Sequence, residues 1–347
     1  MITSPAPAPL QEVIAALAYD RPLTQDSITA AFDVVMRGDA SPVQISALLT
    51  GLRVRGESSD VVAGAATAMR RAMMRLVIAD PDGAVDTCGT GGGSVATFNI
   101  STAAAFVAAG AGVRVAKHGN RSFTSKSGSA DVLEALGVDI DVDTDAMSRA
   151  FESAGIVFMY APRMHPAMRH VGPVRRELGV PTVMNIIGPL ANPASVGRQV
   201  IGVADAGRVD VMAHALAALG TVHSLVVHGE PGMDEISPLG PSRVVEVRGT
   251  TVTDSSTEPG RLGVATARAS ELVGGTPDVN AALVRACLDG SAPAGAIAAV
   301  AVNAGAAIYV GGAADSLEAG VEAARAAIAN GSATAALERL RAALPRR

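Results

Sequence analysis

The chain has 347 residues, of which 49% are hydrophobic and 18% are charged, and its formal net charge is −5. This composition excludes a disordered chain and argues against a general nucleic-acid binder, because such proteins present a basic surface. The two cysteines, Cys88 and Cys287, lie far apart in the sequence, which argues against a disulfide framework and predicts a cytoplasmic protein in a reducing compartment.

The first 75 residues show helical spacing of apolar residues and no strand-like alternation. Thr24 is predicted to cap a helix that starts at Gln25, and Ser41 with Pro42 has the form of an N-cap followed by a first-turn proline. Ser58 or Ser59 is predicted to cap a third helix that ends at Met74. We therefore predict a small all-helical N-terminal domain that occupies residues 1–76.

The pattern changes after residue 76, where short apolar segments begin to alternate with helical ones. This alternation predicts a large α/β domain, residues 77–347, with a mostly parallel central sheet. The most apolar segment, 295–312, is mostly Ala, Gly and Val and contains Asn303, which favours a buried helix over a membrane span. Strands are predicted at 85–88, 113–116, 156–159, 200–203 and 224–228, and further helices at 101–111, 131–136, 316–329 and 333–344.

A glycine-rich segment follows the first predicted strand and precedes a predicted helix. Four of the five residues from Gly89 to Gly93 are glycines, so the backbone can fold tightly and direct its N–H groups at one anion. The start of the following helix adds partial positive charge, together with the polar residues Thr97, Asn99 and Ser101. The segment is neither a Walker loop nor a clean dinucleotide fingerprint. A flexible glycine loop without a ligand is the alternative.

A second polar segment, residues 117–131, also lies between a predicted strand and a predicted helix. It contains both lysines of the chain, Lys117 and Lys126, together with hydroxyl side chains and two glycines. Ammonium groups and hydroxyl donors suit a polyphosphate. A solvated polar loop is the alternative, but it does not explain why both lysines occur here.

Two further groups of residues carry chemistry. Asp234 and Glu235 follow the strand predicted at 224–228, and adjacent carboxylates in such a loop can hold Mg²⁺ together with substrate phosphates, although an isolated pair is usually surface charge.

Residues 161–193 contain arginines that could clamp a carboxylate through paired hydrogen bonds. We interpret His165 as structural and assign no role to His170, His214, His223 or His228, which lack metal-ligand spacing.

Taken together, in this order and spacing, these segments resemble the anthranilate phosphoribosyltransferase family of tryptophan biosynthesis. The resemblance is carried by the Lys-His-Gly-Asn-Arg run at 117–121, the His-Pro-Ala-Met run at 165–168 and the Asn-Ile-Ile-Gly-Pro-Leu run at 185–190. It implies a fold of the nucleoside phosphorylase and phosphoribosyltransferase type, with residues near 165–190 packed on the helical domain and a homodimer formed through that domain. It also implies transfer of the phosphoribosyl group of 5-phosphoribosyl 1-pyrophosphate to the amine of anthranilate.

The resemblance further implies roles for individual residues, with Mg²⁺ as the cofactor and no residue assigned as general base. Ser101, Asp234 and Glu235 would serve the Mg²⁺ ions. Anthranilate would contact Gly89, Asn120 and Arg175, with His118, Pro162 and Gly188 along its path. The phosphoribosyl pyrophosphate set would be Gly89, Gly92, Gly93, Thr97, Asn99, Ile100, Ser101, Thr102, Lys117, His118, Gly119, Asn120, Arg121, Ser122, Phe123, Thr124, Ser125 and Ser129.

The sequence departs from the family pattern at Gly93, where the family usually has Asp directly after Gly-Thr-Gly-Gly. Loss of a carboxylate near the diphosphate predicts weaker binding of a second Mg²⁺. Thr124 replaces a frequent Ser and keeps the hydroxyl. There are three alternatives. A pyrimidine nucleoside phosphorylase shares the architecture, but its characteristic sequence around the phosphate loop is absent and Arg175 suits a carboxylate substrate. The acidic chain and the Asp234–Glu235 pair argue against a non-catalytic relative that binds nucleic acid, and a phosphoribosyltransferase for another aromatic amine stays open.

Overall fold

The computed structural model describes residues 8–122 and 126–346. The N-terminal part forms four helices, α1 (Ala8–Ala18), α2 (Gln25–Arg37), α3 (Pro42–Arg55) and α4 (Ser59–Ala72). The predicted caps are confirmed, because the side chains of Thr24, Ser41 and Ser58 accept hydrogen bonds from backbone N–H groups in the first turns of α2, α3 and α4. Pro42 occupies the first turn of α3, as predicted.

Seven strands in the described residues form one sheet with the order β3-β2-β1-β4-β5-β6-β7. All pairings from β3 across to β5 are parallel, and β6 and β7 add an antiparallel hairpin at one edge. The predicted α/β class with a mostly parallel sheet is confirmed. The strands are β1 (Val85–Gly89), β2 (Val115–Gly119), β3 (Ile156–Tyr160), β4 (Arg198–Gly202), β5 (His223–Gly229), β6 (Ser242–Arg248) and β7 (Thr251–Thr257).

Helices cover both faces of the sheet. They are α5 (Ile100–Gly110), α6 (Ser129–Ala135), α7 (Thr144–Ala154), α8 (Ala161–Met164), α9 (Met168–Leu178), α10 (Val209–Ala218), α11 (Pro277–Leu288), α12 (Ala294–Val310), α13 (Leu317–Ala329) and α14 (Ser332–Ala343). Helix α12 is almost wholly buried, which confirms the buried helix predicted from its apolar sequence. Across the described ranges, no helix has both the length and the apolar character that crossing a bilayer requires.

The sheet separates two main hydrophobic clusters. One cluster joins β1, β2, β3, β4 and β5 to helices α5, α6 and α11–α14. The cluster on the opposite face joins β4, β5 and β6 to α10 and continues without interruption into α1–α4. Val171 and Val174 of α9, together with Val183 and Ile187, also belong to this second cluster, so this part of the chain packs against the N-terminal helices.

The strand order places a crevice at one point of the sheet. The chain proceeds from β1 through β2 to β3 in one direction, and then adds β4 and β5 on the other side of β1. In open α/β sheets, ligands bind outside the carboxyl ends of the two strands between which the direction reverses. The topology therefore points to the ends of β1 and β4, where Gly89 and Gly202 are paired.

Candidate active site

Four adjacent parallel strands end in glycine at the edge where the crevice is expected. These glycines are Gly119 of β2, Gly89 of β1, Gly202 of β4 and Gly229 of β5. A Cβ atom at Gly202 would overlap the carbonyl oxygen of Asp234, and one at Gly89 would overlap the Asp234 side chain at Oδ2. The segment that contains Asp234 and Glu235, here called the acidic segment, packs directly on the ends of β1 and β4, so these ends have no room for a side chain.

The acidic segment reaches this place through a tight turn after β5. The backbone groups of Gly229 and Met233 exchange hydrogen bonds of 3.1 and 2.7 Å, which returns the chain over the strand ends. The Oδ2 atom of Asp234 then accepts a hydrogen bond of 2.8 Å from the backbone N–H of Gly91. Burial raises the pKa of Asp234, and burial together with the neighbouring Asp234 raises the pKa of Glu235 well above its usual value.

The three residues predicted to serve Mg²⁺ are brought together. Ser101, Asp234 and Glu235 line one small cavity beneath the glycine-rich loop, together with Cys88 and Asn303. The described residues contain no group of three or more His, Cys, Asp or Glu side chains arranged to hold a metal ion. The carboxylates of Asp234 and Glu235 and the hydroxyl of Ser101 nevertheless form a donor set that suits Mg²⁺. This ion takes oxygen ligands and completes its shell with water and substrate phosphate.

Lys117 lies deeper than the sequence indicates. Its side chain is only 4% exposed, and its Nζ donates to the carbonyl oxygen of Thr87 and to Ser101 Oγ, the latter at 3.3 Å. Burial lowers its pKa, which the nearby carboxylates of Asp86 and Glu235 partly restore. In this structure the ammonium thus balances buried carboxylates below the loop. When Asp86, Asp234 and Glu235 are all ionised, their three negative charges exceed the single positive charge of Lys117 by two.

The N-terminus of α5 is open to an anion. Asn99 holds the N-cap position without capping the helix, because its Oδ1 accepts from Asn280 Nδ2 at 2.8 Å and its Nδ2 donates to the Ser127 carbonyl at 3.3 Å. Within the described chain, the N–H of Ser101 has no acceptor. Thr97 is half-buried, whereas the side chains of Ile100 and Thr102 are buried in the core.

The second polar segment is only partly described. Arg121 pairs with Asp131 and Glu134 at 2.7 and 2.6 Å, so its charge is already balanced on the surface. Lys126 is exposed. The remaining predicted residues Gly119, Asn120, Ser122 and Ser129 lie together at the end of β2 and the start of α6, and Phe123, Thr124 and Ser125 lie outside the described residues.

The predicted anthranilate residues include a cation without a local partner. Arg175 of α9 is half-buried, and among the described residues it forms no ion pair or hydrogen bond through its guanidinium group; burial lowers its pKa. His118 contacts His165, with ring centroids 4.9 Å apart. Burial lowers the pKa of His118 well below its usual value and that of His165 to about 4, so both rings are neutral at pH 7. Gly188 lies beside the His118 ring, and Pro162 lies in the first turn of α8.

Several site residues were not identified from the sequence. Asn192 donates 2.7 Å to the buried carboxylate of Asp86, which also accepts the backbone N–H of His118 at 3.1 Å. Asn280 fixes Asn99, and Asn303 lines the cavity of the acidic pair. In the sequence, Asn303 stands out only as a polar residue inside an apolar segment. That feature argues against a membrane span and does not indicate a role in the site.

Comparison with known proteins agrees with this geometry. Residues 11–73 match the helical bundle domain of a glycosyl transferase family, and residues 81–334 match its a/b domain. The anthranilate phosphoribosyltransferase of Rubrobacter xylanophilus is 50% identical over 330 residues, which cover 95% of this chain and 96% of that protein.

Two solved structures extend the comparison. The anthranilate phosphoribosyltransferase of Thermus thermophilus superimposes with a TM-score of 0.90 at 42% identity, over 95% of this chain and 98% of that one. The Saccharomyces cerevisiae enzyme in complex with PRPP and Mg gives a TM-score of 0.86 at 27% identity, over 97% and 98% of the two chains. The chain therefore belongs to the anthranilate phosphoribosyltransferases, a glycosyl transferase family with a helical bundle domain and an α/β domain.

Proposed function

We propose that the protein joins the amine of anthranilate to C1 of the ribose of 5-phosphoribosyl 1-pyrophosphate (PRPP) and releases pyrophosphate, in tryptophan biosynthesis. One observation carries this proposal: the glycine-rich loop, the open N-terminus of α5 and the acidic pair converge at the strand ends where the sheet changes direction. Related yeast structures hold PRPP with Mg, and 4-fluoroanthranilate. These complexes support the same two substrates here.

The diphosphate of PRPP would bind between the glycine-rich loop and α5. In the described chain, the N–H groups of Gly92, Gly93 and Ser101 have no acceptor and are available to phosphate oxygens. Mg²⁺, held by Ser101, Asp234 and Glu235, would neutralise charge on the diphosphate. When the C1–O bond breaks, negative charge grows on pyrophosphate, and these backbone donors stabilise it. Residues around 119–129 would hold the remainder of the donor.

Anthranilate would bind through its carboxylate to Arg175. Its amine carries a free electron pair that forms the N–C1 bond as the C1–O bond breaks, so it needs no deprotonation before the attack. The nitrogen then loses one proton to solvent or to the released pyrophosphate, and no residue is assigned as general base. His118 and His165 are neutral and form an uncharged wall near Gly188. The main contribution of the chain to this half of the reaction is to hold the amine close to C1.

The direct test of the activity is to incubate the protein with anthranilate, PRPP and Mg²⁺ and to follow anthranilate fluorescence. Fluorescence should fall only when all three components are present, and pyrophosphate should appear in equal amount. Unchanged fluorescence with turnover of another aromatic amine would contradict anthranilate as the substrate.

Replacement of Arg175 with Ala should raise the KM for anthranilate by about 10–100-fold, because a charge-assisted carboxylate contact is lost. The KM for PRPP should stay near its wild-type value. The matched control is Arg176→Ala, an exposed arginine on the same helix, which should leave both constants unchanged. Equal increases in both KM values for Arg175→Ala would contradict the clamp.

Replacement of Gly93 with Asp should shift the Mg²⁺ dependence of the rate. A Cβ atom there would lie 3.0 Å from the Gly232 carbonyl oxygen and 3.6 Å from Asp234 Oδ1, so the new carboxylate would lie next to the acidic pair. An added anionic ligand should lower the Mg²⁺ concentration needed for half-maximal rate by about tenfold. Gly93→Asn has the same shape without the charge and serves as control. If both variants shift the profile equally, the charge is not responsible.

We also propose that residues 1–76 form a helical domain on the α/β domain of residues 77–347, and that two copies associate through it. The separate family matches at 11–73 and 81–334 support this division. On α3, Val43 and Val54 are 77% and 82% exposed, and Ala47 and Thr50 lie exposed between them on the same helical face. Sedimentation of the wild type as a dimer, and of Val54→Arg as a monomer, would support this interface.

We place the protein in the cytoplasm. Both cysteines are free thiols, as expected in a reducing compartment. Burial raises the pKa of Cys88 and raises that of Cys287 to about 12, which keeps both thiols protonated. Localisation of a tagged full-length chain in the producing cell tests this assignment.

A further inference from the structure

Asn303 is a polar residue inside the buried, apolar helix α12. Its side chain is 5% exposed, and apart from Asn303 and Tyr309 the helix consists of Ala, Gly, Val and Ile. Burial of an amide is unfavourable unless its atoms are paired. The Oδ1 atom accepts from the Ile236 N–H at 2.9 Å, and Nδ2 donates to the carbonyl oxygens of Ile236 and Ala299, each at 2.9 Å. One side chain therefore holds both backbone groups of Ile236.

Ile236 directly follows Glu235, so this contact acts on the acidic pair. Ile236 is fully buried, and in the described chain its N–H and carbonyl groups have no backbone partner. The Asn303 side chain supplies the two hydrogen bonds that a neighbouring strand would otherwise make to these backbone groups. Without it, both groups would be buried and unpaired, and the segment would have to move to find new partners.

The opposite side of the acidic segment is fixed by Gly202. The Asp234 carbonyl lies so close to Gly202 that a Cβ atom there would overlap it. Asp234 and Glu235 are thus held between the end of β4 and the side chain of Asn303. Asn303 also lines the same cavity as Ser101, Asp234 and Glu235.

We propose that Asn303 is a positioning residue, which fixes the carboxylates of Asp234 and Glu235 at the spacing that a divalent cation requires. The inference rests on the proposed function. Partners that orient metal-binding carboxylates change metal affinity by about 10–100-fold when they are removed. Such a residue affects only the affinity for the metal. Its replacement should therefore leave the KM for anthranilate unchanged when the metal is saturating.

The test uses Mn²⁺ as the probe, with pyrophosphate present, in the full-length protein. Electron paramagnetic resonance of free Mn²⁺ gives the Kd for the wild type and for Asn303→Leu, which keeps the size of the side chain. We expect a Kd about 10–100-fold higher for Asn303→Leu. Val302→Ala, a buried neighbour on the same helix, should lower the melting temperature and leave the Mn²⁺ Kd unchanged.

A folded Asn303→Leu protein with the wild-type Mn²⁺ Kd would overturn this inference alone and leave the proposed function intact. If Asn303→Leu does not fold, Asn303→Ser supplies the same comparison, and a wild-type Kd again overturns the inference. Failure of the wild type itself to bind Mn²⁺ with pyrophosphate would overturn both the metal site of the proposed function and the role of Asn303.

Discussion

The double variant Asp234→Asn, Glu235→Gln should lose Mg²⁺-dependent turnover by about 10²–10³-fold and, without metal, should melt at a higher temperature than the wild type. The loss of turnover follows from the removal of both carboxylates that face the diphosphate. The gain in stability follows because burial raises the pKa of both groups, so their ionisation at neutral pH opposes folding. Activity and stability should therefore change in opposite directions.

The raised pKa values also determine how the difference in melting temperature between the variant and the wild type should change with pH. A carboxyl group whose pKa is raised by folding favours the folded state while it is protonated, and that contribution is lost as pH rises through the raised pKa. The difference in melting temperature between variant and wild type should therefore widen from acidic to neutral pH. Addition of Mg²⁺ with PRPP should stabilise the wild type more than the variant, because ligand that binds the folded state raises its stability and the variant lacks the carboxylates that hold the metal.

Calorimetry over a pH series, with and without Mg²⁺ and PRPP, measures both effects. Glu230→Gln is the control, since this exposed carboxylate lies five residues before Glu235. It should alter neither the Mg²⁺ dependence nor the slope of melting temperature against pH. A double variant that keeps wild-type turnover would remove Asp234 and Glu235 from the metal site.

Local chemistry made much of the fold predictable from the sequence. The helix caps at Thr24, Ser41 and Ser58 are recognisable because a hydroxyl residue precedes an amphipathic segment. Buried strands such as β3 and β5 stand out as short apolar runs. Both strands of the edge hairpin, β6 (Ser242–Arg248) and β7 (Thr251–Thr257), were missed. Strand β7 is exposed and nearly all its residues are polar, so no apolar alternation marks it.

The site was predictable to the level of segments and less so to the level of side chains. Three motifs that follow strands had to converge, because parallel strands end at the same edge of a sheet. The direction of a side chain depends on packing between distant segments. Lys117 turns inward to Thr87, Arg121 pairs with acids of α6, and Asn303 meets Ile236 from 67 residues away. Such contacts leave no local pattern in the sequence.

Lys117→Met should lower the free energy of unfolding at neutral pH by about 3–5 kcal/mol, the usual cost of leaving a buried charge without its partner. The ammonium of Lys117 is the cation that lowers the pKa of both Asp86 and Glu235 against the effect of burial. Methionine fills similar space but supplies neither the charge nor the donors to Thr87 and Ser101. The pKa of both acids should rise further, so the loss of stability should be largest at neutral pH and shrink as pH falls and they become protonated.

Urea unfolding of the metal-free protein between mildly acidic and neutral pH measures this loss directly. The second lysine of the chain provides the matched control, because Lys126 is exposed and undergoes the same change of side chain in Lys126→Met. Lys126→Met should unfold like the wild type at every pH. If Lys117→Met is equally stable at both ends of the pH range, the ammonium does not compensate the buried acids. Lys117 would then act on the substrate alone, as the sequence by itself indicates.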